Sequence, residues 1–221
     1  MFSVPEQAQM TTFLDVSAMV ILVGLLIHTT IYRRRKGVDD ILFFTMLIVT
    51  IVMTCADAFN YRIQGKPISG LIMYGDTIFS ICFVVFGALY CIYLDYRLYL
   101  DAGRMKKIGI LYSLPAAILV LVIIGNLFGG YMFSVDAETN VYAYGDYYEV
   151  IYVPYLFYLI ICAYYIFKID KKVLTVYLML FLTRWILRSI VPDASSTTLF
   201  FAVALSYTHI HLMNHSFYEE D

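Results

Sequence analysis

The chain has 221 residues, of which 62% are hydrophobic, 17% aromatic and only 14% charged, and its mean hydropathy is +0.77. That composition excludes an ordinary soluble domain and fits an integral membrane protein. A formal net charge of −2 says little, because the charges are segregated along the chain.

Apolar blocks recur at about twenty residues, the length a helix needs to cross about 30 Å of hydrocarbon at 1.5 Å per residue. They predict helices at 12 to 32, 41 to 60, 71 to 94, 108 to 129, 150 to 167, 173 to 191 and 195 to 213. The expected fold is all-α, one integral membrane bundle of seven transmembrane helices over residues 1–221. The seventh block is the least apolar, so a six-span reading with an interfacial last segment stays open.

The first block is followed, not preceded, by its basic run RRRK (33–36), which predicts a retained span rather than a cleaved signal peptide. Asp15 lies near its start and His28 near its end. In the second block Thr50, Thr54, Asp57 and Tyr61 recur at steps of four, three and four, forming one polar stripe. Asp76 stands near the start of the third block. That block exits through YCIYLDYRLYL (90–100), whose Asp95, Tyr96 and Arg97 read as an ordinary interface. Pro115 and Pro154 fall early in the fourth and fifth blocks, where a missing N–H costs little.

Between those two blocks lies GGYMFSVDAETNVYAYGDYYEV (129–150), acidic, rich in tyrosine and punctuated by glycine, which predicts a small hairpin or lid. Its tyrosines also fit an aromatic belt at the membrane boundary. Cys55, Cys82, Cys91 and Cys162 all fall within apolar blocks and read as small packing residues rather than a disulfide framework.

The sixth block carries FLTRWILRSIVPD (181–193), with two arginines four residues apart. A helix ending before them would keep only about 16 Å of apolar length, so Arg184 is expected at hydrocarbon depth, whereas Arg188 could snorkel to the interface. Tyr177, Phe181, Arg184 and Arg188 share one face. An arginine facing lipid costs about 2.5–3.5 kcal/mol on insertion scales, so it should face the bundle, where Asp15, Asp57 and Asp76 stand at matching depth. Two readings follow. One is a set of bundle-locking ion pairs. The other is a pocket open to the outside, in which Arg184 and Arg188 bind a carboxylate or phosphate while Asp15, Asp57, Asp76 and Tyr177 shape it.

The last block ends in HIHLMNH (209–215). His211 and His215 are four apart and, with His28, form a weak candidate zinc set, similar to the pair in the last helix of integral-membrane zinc hydrolases of the progestin-and-adipoQ-receptor type. No lysine is present there to carry a retinal Schiff base. Eight residues, NHSFYEED, follow Met213, so the chain is expected to be either a stand-alone membrane protein or one module of a longer one. No phosphate-cradling loop, nucleophile elbow or basic aromatic surface occurs. No catalytic residue, cofactor or nucleic-acid partner is therefore expected.

Eleven of the fifteen basic residues fall after the first, third and fifth blocks, which predicts an outside N-terminus and a cytoplasmic C-terminus in the cell membrane. This layout, with RRRK after the first helix, Asp57 late in the second, a tyrosine-rich exit from the third and the outer loop FSVDAETNVYAYGDYY, resembles a known class. It is similar to the N-terminal multi-helix sensory modules of bacterial diguanylate cyclases with a GGDEF domain and of sensor histidine kinases of Firmicutes. The likeness covers nearly the whole chain and rests on layout rather than on an invariant motif. It implies a non-enzymatic receptor in the lipid bilayer that binds a small, anionic extracellular ligand. A signal would then pass through the last helix to a cytoplasmic signalling domain or protein, with homodimerisation an open option. A small permease using the same charges is the alternative, and an intramembrane zinc hydrolase the second alternative.

Overall fold

The computed structural model describes residues 4–32, 37–63, 66, 68–136, 142–190 and 196–218. Their α-helices are α1 (Val4–Tyr32), α2 (Val38–Ile63), α3 (Ser69–Tyr99), α4 (Ala102–Gly129), α5 (Tyr152–Ile169), α6 (Lys171–Ile190) and α7 (Thr197–Tyr218). A two-stranded antiparallel hairpin, β1 (Phe133–Val135) and β2 (Tyr142–Tyr144), and a short 3-10 turn, Tyr148–Ile151, separate α4 from α5.

Four helices are long and apolar enough to cross a membrane, over Gln9–Ile31, Val38–Ile63, Gly70–Tyr99 and Ala102–Gly129. On these grounds the chain is a membrane protein. The apolar stretch of α5, Leu156–Ile169, is shorter, and α6 interrupts its apolar run with Arg184 and Arg188. The surface agrees. On α4 the large side chains of Ile110, Leu114, Ile118, Leu121 and Phe128 point outward, while Tyr112, Ala116, Leu119, Ile123 and Asn126 are buried. Two stripes of three- and four-residue steps divide that helix into a lipid face and a bundle face.

Helix ends follow their local chemistry. Leu100, in a left-handed conformation at φ 50°, closes α3 by donating its N–H to the Tyr96 carbonyl at 2.8 Å. Asp101 then caps α4, its carboxylate accepting from the N–H groups of Gly103 at 2.7 Å and Arg104 at 3.0 Å. Those two backbone donors, Arg104 first, hold the exposed Asp101 carboxyl below its ordinary value. At the far end Gly130, at φ 62°, closes α4 against the Asn126 carbonyl.

Helices α2 and α3 run in opposite directions. Asp39 at the start of α2 meets Arg97 at the end of α3, and Asn60 near the end of α2 meets Asp76 near the start of α3. Contacts between neighbours run α1–α2–α3–α5–α6–α7 and return from α7 to α1, with α4 lying against α3. The loop expected to form a hairpin does so, and fully buried Asn126 anchors it. The Asn126 side chain accepts from the Met132 N–H at 2.6 Å and donates to the Phe133 carbonyl at 2.8 Å.

Candidate functional site

Two polar clusters occupy opposite ends of the bundle. At the hairpin end, Asp15 of α1 is 2% exposed and accepts a hydrogen bond at 2.5 Å from Thr198, in the first turn of α7. Asp76 of α3 accepts one at 2.7 Å from the Asn60 amide of α2. The Asp57 carboxylate, also buried on α2, lies within electrostatic range of both. Thr50 and Thr54 turn inward on the same helix, each donating its hydroxyl to the backbone four residues earlier. The stripe read from the sequence of α2 therefore faces the bundle, and Asp15, Asp57 and Asp76 gather at one end of it.

Gly75 makes part of this possible. A Cβ there would collide with the Asn60 amide, so a residue without a side chain lets α2 and α3 approach where Asn60 meets Asp76. Among the described residues, three buried oxygens at this end lack a hydrogen-bond partner: Asp15 Oδ2, Asp76 Oδ2 and Asn60 Oδ1. Each is an acceptor. The cluster is short of donors, and a buried polar atom left unpaired costs about 1–3 kcal/mol.

Tyr177 points into the bundle. Its hydroxyl meets those of Tyr90 on α3 and Thr208 on α7 in short hydrogen bonds, and Tyr90 reaches Thr208 at 2.9 Å. It is thus part of a three-helix hydroxyl junction, nearly three turns along α7 from Thr198. The backbone of α6 continues to Arg184 and Arg188, but the side chains of these two proposed ligand residues lie outside the described residues.

At the opposite end, Asp95 is 1% exposed and far more committed than an interfacial residue. It accepts from the Arg104 guanidinium, at 3.0 and 3.2 Å, and from the Tyr165 hydroxyl at 2.7 Å. Tyr165 also bonds Tyr112 at 2.7 Å, and Tyr158 donates to the Tyr112 carbonyl at 2.7 Å, so one network joins α3, α4 and α5. Neighbouring Arg97 turns away to Asp39 at 2.8 Å. The sequence carried no signal for this division of partners, since Arg104 belongs to the next helix and Tyr165 to the one after it.

His211 bonds Asp170 at 2.9 Å, between α5 and α6. The rings of His28 and His209 meet edge to face with centroids 6.0 Å apart, and His209 stacks on Phe43 at 4.1 Å. His215's side chain lies outside the described residues, and among those described no three metal-ligating groups converge. The weak zinc set gains no geometric support. No family model, no curated protein and no solved structure matches this chain.

Proposed function

We propose that the chain is a seven-span sensory bundle of the cell membrane, with its N-terminus outside and its C-terminus in the cytoplasm, which binds a small anionic solute at the hairpin end. In this reading Arg184 and Arg188 take the carboxylate or phosphate of the ligand. Arg184 forms the floor, and Asp15, Asp57, Asp76 and Tyr177 shape the rest of the pocket.

The observation that carries the reading is the donor deficit at the hairpin end, where Asp15 Oδ2, Asp76 Oδ2 and Asn60 Oδ1 are buried without partners. A solute bearing hydroxyl or ammonium donors beside its anionic group meets both requirements at once. Amino and hydroxy carboxylates have that chemistry.

Support for signalling rather than storage comes from α7. Thr198 bonds Asp15, Thr208 joins Tyr90 and Tyr177, and His211 bonds Asp170, so one helix is tied to polar partners from its first turn to its cytoplasmic part. A ligand that competes for Asp15 releases Thr198 and changes the preferred seat of α7. Only a difference in affinity between two such seats converts binding into a signal. The resemblance to sensory modules of diguanylate cyclases and histidine kinases agrees with an output domain or protein receiving that movement.

The test uses the single tryptophan, Trp185, adjacent to Arg184 in sequence. Titrating the purified protein in nanodiscs with amino acids, hydroxy acids, acetate and phosphate should change its emission. Donor-bearing carboxylates should bind tighter than acetate, and Arg184→Lys should bind at least about tenfold more weakly, because a point charge cannot replace a bidentate fork. If no anion changes the emission or the melting temperature, the reading is wrong.

A further inference from the structure

Cys91 of α3 and Cys162 of α5 are far apart in sequence and adjacent in space, with their sulfurs 3.4 Å apart. Cys91 is fully buried and Cys162 is 9% exposed. The Cys91 thiol also donates to the Tyr158 carbonyl at 3.7 Å. One turn before Cys91, Gly87 lets the two helices close in, since a Cβ there would come within 3.0 Å of the Tyr158 ring. Two short side chains on closely packed helices are what a disulfide requires.

Depth determines what can reach them. Cys91 lies eight residues before the end of α3 and Cys162 seven before the end of α5, so both thiols sit about 10–12 Å inside their helix ends. Charged water-soluble thiols and disulfides do not partition to that depth. The flank of α5 beside Cys162 is apolar and outward-facing at Leu159 and Ile160, which is a lipid-side approach.

We propose that Cys91 and Cys162 form a redox-active dithiol that a lipid-soluble quinone oxidises to a disulfide joining α3 to α5. Two S–H bonds break and one S–S bond forms; the two electrons and two protons pass to the quinone oxygens, giving the hydroquinone. Closing the sulfurs from 3.4 Å to about 2.05 Å draws together helices that also share the Asp95–Tyr165 bond. Asp95 is one turn from Cys91 and Tyr165 one turn from Cys162, so the hydroxyl network at that end senses the redox state. The proposal is independent of the ligand reading above.

The test treats the reduced full chain in nanodiscs with decylubiquinone, then denatures it and counts thiols with a maleimide. The expected count falls from four to two, with one equivalent of hydroquinone formed and a peptide pair linked through Cys91 and Cys162. Replacing Cys55 and Cys82 with serine should leave the reaction intact, and either Cys91→Ser or Cys162→Ser should abolish hydroquinone formation. Oxidised glutathione at the same concentration should react at least tenfold more slowly. Four remaining thiols, a link through Cys55 or Cys82, hydroquinone formation surviving in both single variants, or an equal rate with glutathione would each overturn the proposal.

Discussion

At Asp15 the structural role of a buried carboxylate can be separated from its proposed ligand role. Its Oδ1 accepts from Thr198, while its Oδ2 is buried without a partner. Asp15→Asn keeps an oxygen for Thr198 and replaces the unpaired acceptor with an amide donor. The melting temperature of this variant in nanodiscs should hold or rise, and solute affinity should fall at least about tenfold as a charge-assisted hydrogen bond is lost. At the other end, Tyr165→Phe removes the hydroxyl shared by Asp95 and Tyr112 and should destabilise the protein by about 1–2 kcal/mol, the upper range for interhelical hydrogen bonds in membranes. Denaturant titration of the two proteins checks that figure. Asp15, Asp57 and Asp76 stood out in the sequence because charge is rare in apolar blocks. Thr198 and Asn60, equally necessary to the cluster, did not, because an uncharged polar residue in a span gives no sign of its partner until helix rotation and packing are fixed.

At the scale of elements, the α2–α3 seam sets the shape of the hairpin-end cluster. Gly75→Ala drives a Cβ into the Asn60 amide, and overpacking of this kind costs about 1–3 kcal/mol. The variant should melt lower and bind solute more weakly, and adding Asn60→Ala should recover part of the stability but not the binding. A Gly75→Ala protein that matches the wild type in both measurements would remove this seam from the site. Helix positions were legible from span length, and the hairpin from its glycines and its polar centre. The first four helices run longer than their apolar blocks, α1 from Val4 and α3 to Tyr99, because a helix continues past the hydrocarbon wherever no cap stops it. The commitment of Asp95 to Arg104 and Tyr165 was not legible. Adjacent residues on a helix point in different directions, and the left-handed turn at Leu100 returns Arg104 beside Asp95 on the following helix.

Across the whole molecule, polar clusters sit at both ends of a largely apolar bundle, and α7 joins the hairpin-end cluster, through Thr198, to the Tyr90–Tyr177 junction and to Asp170. In the proposed sensor, α7, bonded at Thr198 and at His211, is the rigid element that would carry a change of partner from one to the other. The pairing of Cys91 with Cys162 belongs to this scale too: each thiol alone reads as packing, and only the approach of α3 to α5 makes them a pair. The most direct test of ligand-driven movement is a distance measured between spin labels at Leu100, at the end of α3, and at Ile210, on α7, both outward-facing, in a protein lacking Cys55 and Cys82. Saturating the hairpin end with the tightest amino or hydroxy carboxylate should shift the distance distribution, and the same concentration should leave Arg184→Lys unchanged. An identical distribution with and without bound solute would contradict the reading of this bundle as a sensor.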